Sequence, residues 1–399
     1  MKKIIVIGAG ASGIAAAIFA KNNTNKVIVL EKNSSPLKKL LLTGAGRCNF
    51  FNENFNENFY NINHNLISKV ISYRSKYLDF MKSIGLEFTI KNGYYYPYSK
   101  TSVSVQNALM QKAKEKDIDF SYNIDLTNII KFEKGYLIND SLYADNIILA
   151  AGSKAYPNTG SDGSVFSILK NLDVKINQVL PALVQLKSDC NIITKWPSLR
   201  VDAQIKLFCE DKFMKETSGE LQLTNYGISG ICVLSMSDLA VKSVEGRLKT
   251  HVSINFLSFI SNYDEFVSKR KQTFKDASII QFFEGIINYK LLISLFNYYK
   301  IKYDESFHHI NDMVYEKIKK ALTSFELPIN GYNDFSCAQV CQGGVDLSEL
   351  TENFELKKYP GIYVVGETND IHGDCGGYNL SYAFISGMIA GESVYNDKN

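Results

Sequence analysis

Two spacings of apolar residues alternate along this chain, and the change between them marks its elements. Lys2 and Lys3 precede Ile4-Ile5-Val6-Ile7, a short continuous apolar run of the kind a buried strand shows. Ala11 to Ala20 is small and apolar and predicts a tightly packed helix. Val27-Ile28-Val29-Leu30 is a second buried run, closed by Glu31. Leu66 to Ile84 has helical spacing and stops at Gly85, and Ser104 to Glu115 is a second amphipathic helix. Ile118 to Ile130 and Tyr136 to Ile138 read as strands. Ala144 to Ser153 is one more buried strand, ending in small residues. Tyr156 to Gly163 is turn-rich, and Ser164 to Leu172 is helical.

From Pro181 the pattern changes. Val184 to Leu186, Ala203 to Cys209, Glu220 to Thr224 and His251 to Phe256 predict a separate antiparallel sheet, with a short helix over Ile228 to Leu239. Tyr263 to Leu322 has long helical periodicity and many aromatics, and reads as a small helical subdomain whose aromatic stripes are core. The last sixty residues return to the opening pattern: Gly361 to Glu367 is a buried strand, and Ser381 to Val394 an amphipathic helix that follows Gly376 and Gly377.

The glycines turn this pattern into chemistry. Gly8, Gly10 and Gly13 follow the first strand with the G-x-G-x-x-G spacing. Gly8 makes the turn, Gly10 lets backbone approach a pyrophosphate, and Gly13 lets helix pack on strand. The helix that starts there offers unpaired N–H groups to an anion. Glu31, ending the second strand, is placed to accept hydrogen bonds from a ribose diol. Strand, glycines, helix, strand and acid in this order point to an ADP-bearing cofactor. A secretory signal peptide also starts with lysines and an apolar run, but has no need of glycines at this spacing or of a second strand ending in an acid. Gly44-Ala45-Gly46-Arg47 suits a loop whose backbone approaches a ligand, with Arg47 available to a phosphate or carboxylate. The aromatic run Tyr94-Tyr95-Tyr96-Pro97-Tyr98 fits strand packing and substrate contact equally well.

Composition narrows the function classes. At 399 residues the chain is long for one domain, and 45% hydrophobic with 21% charged residues is an ordinary globular balance. No run reaches the roughly eighteen apolar residues of a membrane span. A net charge of +3 gives no basic surface for nucleic acid, and Lys269-Arg270-Lys271 is diluted by neighbouring acids. The seven cysteines are scattered, with no C-x-x-C pair, as expected for reduced thiols in a cytoplasm rather than disulfides or a zinc site. The histidines show no metal-ligand spacing.

Several motifs together resemble one family. They are Gly44-Ala45-Gly46-Arg47-Cys48-Asn49, Leu223-Thr224-Asn225-Tyr226-Gly227-Ile228-Ser229-Gly230, Ala338-Gln339-Val340 with Gly343-Gly344-Val345, and Gly373-Asp374-Cys375-Gly376-Gly377-Tyr378-Asn379-Leu380. The chain is similar over nearly its whole length to the BaiN-type NAD(P)/FAD-dependent oxidoreductases, also described as aminoacetone-oxidase-like flavoproteins. The resemblance implies an α/β fold: a glutathione-reductase-like FAD-binding Rossmann domain (1–185 and 337–399) interrupted by a β-rich insert (186–260 and 323–336) that carries the helical subdomain (261–322). It implies FAD contacts from Gly8, Ala9, Gly10, Ala11, Ser12 and Gly13, from Glu31 and Lys32, and from Lys39, Leu40 and Thr43. Further contacts are implied at Gly44, Gly46, Arg47, Cys48 and Asn49, at Leu126, at Ala150, Ala151 and Gly152, at Gly366 and Glu367, and at Gly377, Tyr378, Asn379 and Leu380. The family motif Thr-His-x-Gly-x-Ser-Gly-Pro has Asn225 and Ile231 here in place of His and Pro. An amide does not titrate, so Asn225 cannot exchange a proton, and the catalytic acid or base is unassigned.

The expected activity is two-electron transfer from NAD(P)H or an organic donor, through FAD, to a small molecule or oxygen. There is no second dinucleotide fingerprint, so a nicotinamide would bind transiently against the flavin. A flavin-binding sensor or assembly protein without turnover is the alternative, and an RNA-modifying flavoenzyme is disfavoured by the charge. Cys48 and Cys375 both fall in flavin-associated motifs and could form a redox pair.

Overall fold

The computed structural model describes residues 1–196 and 198–396. These form two compact units, Met1–Pro181 with Ala338–Asn399, and Ala182–Cys337. The divisions lie at 181/182 and 337/338, against the expected 185/186 and 336/337.

The first unit is built on a five-stranded sheet in the order Ile362–Val364, Asn146–Leu149, Lys2–Ile7, Asn25–Glu31, Asp119–Tyr122, with every neighbouring pair parallel. The central strands are apolar on both faces because both faces are covered; Ile4, Ile5, Val6, Ile147, Ile148 and Leu149 have no exposed surface. Helix Ala11–Ala20 packs on helix Tyr378–Asn396 with almost no space between backbones. A Cβ at Gly387 would stand 2.1 Å from the Ser12 carbonyl oxygen, and one at Gly391 2.5 Å from that of Ala16. Only glycine admits so close a crossing.

Expected and observed elements differ at two places in this unit. The helix expected over Leu66 to Ile84 is two, Asn65–Ser72 and Arg74–Ser83, broken where Tyr73 caps one and opens the other. The strand expected over Ile118 to Ile130 is also two, in different sheets: Asp119–Tyr122 joins the parallel sheet, whereas Ile129–Phe132 joins the antiparallel hairpin layer with Gly135–Ile138 and Leu142–Ala144. Tyr94–Pro97 is the middle strand of a third, small sheet, between Phe51–Asn52 and Phe88–Lys91. Strands Ile176–Ala182 and Val340–Val345 pair with each other where the chain leaves and re-enters this unit.

The second unit holds a seven-stranded sheet whose longest pair is Arg200–Cys209 and Lys212–Thr224, antiparallel. Of Val184 to Leu186 only Leu186 is in a strand, Leu186–Lys187. Ile228 to Leu239 is not one helix. Gly227–Ser229 is a strand, Gly230 turns the chain at φ +101°, and helices Ile231–Leu234 and Ser237–Glu245 follow. Helices Tyr263–Thr273, Ile279–Glu284, Tyr289–Tyr298 and Asp312–Thr323 pack with the sheet into one hydrophobic cluster that includes Ile205, Leu221, Phe283, Leu295 and Phe325. Among the described residues no helix is long and apolar enough to cross a membrane.

Candidate functional site

The site begins at the carboxyl end of the first strand, where Gly8 adopts φ +100° and a Cβ would stand 2.5 Å from the Ala150 carbonyl oxygen. Its amide donates to the Leu30 carbonyl at 2.7 Å, tying the turn to the second strand. Gly13 lies over that turn, since a Cβ there would be 1.9 Å from the Gly8 carbonyl oxygen. Gly10 differs: nothing lies within 4 Å of where its Cβ would be. No side chain caps the helix that follows and no acid sits in its first turn, so the amides of its first residues face open space. The closed and open glycines together make an anion cradle.

Glu31 is 7% exposed, and its carboxylate is held from two sides. One oxygen accepts the Ala9 amide at 2.7 Å; the other accepts the Asn33 backbone amide at 2.8 Å and its Nδ2 at 2.7 Å. Three of about four acceptor positions are used, which leaves one for a ligand hydroxyl. Asn33 is itself fixed, donating to the Thr159 carbonyl at 2.9 Å and accepting from Lys38 Nζ at 3.0 Å. Lys32 bridges Asp162 at 2.6 Å and Asp125 at 3.1 Å, and the Asp162 bond is the main reason its pKa is raised. Lys39 pairs with Glu367 at 2.5 Å, and the other oxygen of Glu367 accepts the Cys341 amide at 2.8 Å.

These groups line one cleft within the first unit. Its walls contain Gly8, Ala9, Gly10, Ala11 and Ser12, then Glu31, Lys32, Lys39, Leu40 and Thr43. Leu126, Ala150, Ala151, Gly152, Glu367, Asn379 and Leu380 complete the expected residues found there. Gly13 and Gly366 lie behind the wall; a Cβ at Gly366 would meet Ser12 Oγ at 2.6 Å. Gly44, Gly46, Arg47, Cys48 and Asn49 do not line the cleft. Gly44 and Ala45 take left-handed conformations, so the segment after Thr43 turns away from it. Asn49 is turned inward, its amide nitrogen 3.0 Å from the Phe51 carbonyl and 3.2 Å from that of Tyr95. Gly377 packs on the Phe51 carbonyl, and Tyr378 stacks on Phe59 at 4.7 Å. Both shape the start of the C-terminal helix without facing the cleft. Asn379 closes the loop before it by two 2.8 Å hydrogen bonds with the backbone of Gly373.

The sequence reading missed Asn33, Thr159, Ser161, Gln339 and Tyr382, all in the cleft wall. Asn33 was findable, lying two residues beyond an acid that needs holding. Ser161 Oγ accepts the Ser153 amide at 2.9 Å, a contact across a turn that no spacing announces. Asn225 stands at the exposed tip of the turn between Lys212–Thr224 and Gly227–Ser229. Burial pushes the Cys48 thiol up to about 12 and the Cys375 thiol to about 11. Neither supplies the thiolate that a redox pair would need at neutral pH.

Residues 2–393 match the family described as HI0933-like protein Rossmann domain. The chain belongs to that family. It is 32% identical over 407 aligned positions to a 3-dehydro-bile acid delta(4,6)-reductase of Clostridium scindens, covering 99% of both chains. It is 22% identical to the ribosomal RNA dihydrouridine synthase of Escherichia coli, over 99% of this chain and 98% of that one. Among solved structures, 3-ketosteroid-delta4-(5alpha)-dehydrogenase of Rhodococcus jostii superposes with a TM-score of 0.51 at 13% identity, covering 99% of this chain and 97% of the other. That last likeness concerns the fold. As a member of the HI0933-like family the chain is a flavoprotein oxidoreductase with a Rossmann core.

Proposed function

We propose that the cleft holds FAD and that the protein reduces a carbon–carbon double bond conjugated to a carbonyl in a small-molecule acceptor, with NAD(P)H or an organic donor as the source of electrons. The observation that carries this reading is the pairing of an uncapped helix start at Gly10 with a buried carboxylate, Glu31, that keeps one acceptor position open. The donor set suits the group: amides for a pyrophosphate, a carboxylate for a ribose diol, and apolar walls from Leu40, Leu126 and Leu380. When bound, FAD supplies hydride chemistry that no side chain can. The protein's part is to hold and screen. Residues Ala11 to Gly13 bind the anion, Glu31 and Asn33 orient the sugar, and Lys39 with Glu367 sets a balanced pair of charges in the cleft. The start of helix Tyr378–Asn396 brings backbone amides to the cleft at Asn379 and Leu380, where they stabilise negative charge.

The names of the two relatives support this bond class, since a Δ4,6-reductase and a dihydrouridine synthase both add hydrogen across a double bond. The second of them favours a further reading, in which the acceptor is a uracil ring in RNA. One set of experiments separates the two. Denaturing the purified protein should release FAD. Anaerobic mixing with NADH or NADPH should bleach the flavin, and a cyclic enone should restore its colour. Release of FMN, or no flavin, would overturn the cofactor assignment. Recovery with unmodified ribosomal RNA but with no enone, together with salt-dependent RNA binding, would move the acceptor to RNA.

A further inference from the structure

The family resemblance implies a cofactor contact at Lys32, yet its ammonium is already held by two carboxylates, Asp162 at 2.6 Å and Asp125 at 3.1 Å. These two belong to different segments of the chain. Asp125 follows strand Asp119–Tyr122, at the edge of the parallel sheet. Asp162 lies in the turn between strand Asn146–Leu149 and helix Ser164–Asn171. In the sheet order the strands that lead to them are separated by Lys2–Ile7 and Asn25–Glu31. The bridge therefore crosses the carboxyl ends of the strands, where an open α/β sheet takes its ligand, and it does so beside Glu31.

Each segment is tied down short of the bridge. The Asn123 amide donates to the Asn33 carbonyl at 3.2 Å, and the Ile124 amide to the Glu31 carbonyl at 3.0 Å. In the other segment the Thr159 carbonyl accepts Asn33 Nδ2 at 2.9 Å. The Asp125 and Asp162 carboxylates lie beyond those ties, and Lys32 joins them. Both segments line the cleft, through Ile124, Asp125 and Leu126 in one and Thr159, Gly160 and Ser161 in the other. Ile124 is exposed, so the first segment offers apolar surface that a flat adenine ring can cover. The bridge itself is close to solvent: the Lys32, Asp125 and Asp162 side chains are 38%, 64% and 35% exposed. Pairs this exposed are weak and screened by salt, so the bridge can open and reclose.

We propose that Lys32 is a latch rather than a cofactor contact: by joining Asp125 to Asp162 it closes the sugar end of the cleft over the adenosine half of FAD, and its opening sets the rate at which the cofactor leaves. The assignment rests on the proposed flavin reading and deepens it. It makes Lys32 a positioning residue that acts through two segments, and it gives the adenosine half, which takes no part in the chemistry, the task of retention.

The rate of FAD release from the purified holoprotein, followed by the rise in flavin fluorescence on dilution, tests this without turnover. Asp125→Asn and Asp162→Asn each remove one pair and should speed release by about threefold, the effect of one exposed ion pair. Asn at position 162 still offers the oxygen that accepts the Ser164 amide at 3.1 Å, so the turn is kept. Lys32→Met removes both pairs and should release FAD faster still, whereas Lys32→Arg should keep release slow. Raising salt from about 0.05 to about 0.5 M should speed release from the unaltered protein and have little effect on Lys32→Met. A direct contact predicts the reverse for the acids: with either carboxylate neutralised, Lys32 would be freed for the cofactor phosphates and release would slow. Slower or unchanged release in the two Asp variants, or a salt effect of the same size in Lys32→Met, would overturn the latch. Denaturation that releases FMN, or no flavin, overturns the cofactor reading and the latch with it; FAD that leaves at one rate from every variant overturns the latch alone.

Discussion

Glu31 shows how much one side chain can be asked to do at the end of a strand. It closes the turn of Gly8 and Ala9, anchors Asn33, and keeps one acceptor position for a ligand. Glu31→Ala should therefore weaken FAD binding by about 1.5–3 kcal/mol, the range for a hydrogen bond to a charged group, with a smaller loss of stability from the orphaned Ala9 amide. Equilibrium dialysis of flavin checks the first effect and thermal unfolding the second. The thiols give a different test. Cys337 is exposed, whereas Cys48 is buried with its pKa pushed up to about 12. Iodoacetamide at mildly alkaline pH should label Cys337 early and Cys48 only after unfolding, as peptide mass spectrometry would show. The three glycines and Glu31 were legible in the sequence because backbone demands leave fixed spacings. Ser161 was not, because a side chain that reaches a cleft across a turn leaves no period.

Helix Ala11–Ala20 owes its position to another helix as much as to its own strand. Gly387 and Gly391 let the two backbones touch, and Ser12, met by Gly387, lies in the first turn whose amides face the cleft. Gly387→Ala should cost about 1–3 kcal/mol of stability by overpacking and should lower flavin retention with it, because the cradle is displaced. Unaltered melting and full flavin content in that variant would show that the crossing relaxes freely. Ile231 makes the opposite case. It is the first residue of helix Ile231–Leu234, it is 45% exposed, and it stands where the resembling family has proline. Proline fits a first helical position, so Ile231→Pro should be neutral or stabilise by about 0.4–1 kcal/mol in chemical denaturation. Element types were legible wherever apolar spacing ran unbroken, as in Asn146–Leu149 or Ser164–Asn171. The break at Tyr73 was not, since a helix can end on an ordinary residue whose backbone simply leaves the helical region.

Across the molecule, burial sets the response to pH. Cys48, Cys232 and Cys341 are each raised from 9.0 to about 12 by loss of solvent. The folded chain keeps these protons after the unfolded chain has released its own. Their contribution is intact below about pH 9 and is lost as pH climbs toward 12, so the melting temperature should fall across that window. Cys48→Ala should soften the fall without abolishing it, since desolvation also raises the buried Tyr136 and the half-buried Tyr299 to about 12. Scanning calorimetry across the alkaline range measures both. The fold class was legible because the buried strands return at the end of the chain, after a middle stretch with another pattern. The strand on which the chain departs, Ile176–Ala182, is paired with the strand on which it comes back, Val340–Val345. Gln342 Nε2 reaches the Pro181 carbonyl at 3.3 Å, so the two ends of the intervening segment meet. A segment whose ends meet behaves as a cartridge: it can be lengthened, exchanged between relatives or removed while the surrounding chain keeps its path. Replacing 182–337 by a short glycine-serine bridge should leave a soluble shell that still takes up flavin. Flavin content and circular dichroism of that variant check whether the shell keeps its fold once the segment is gone.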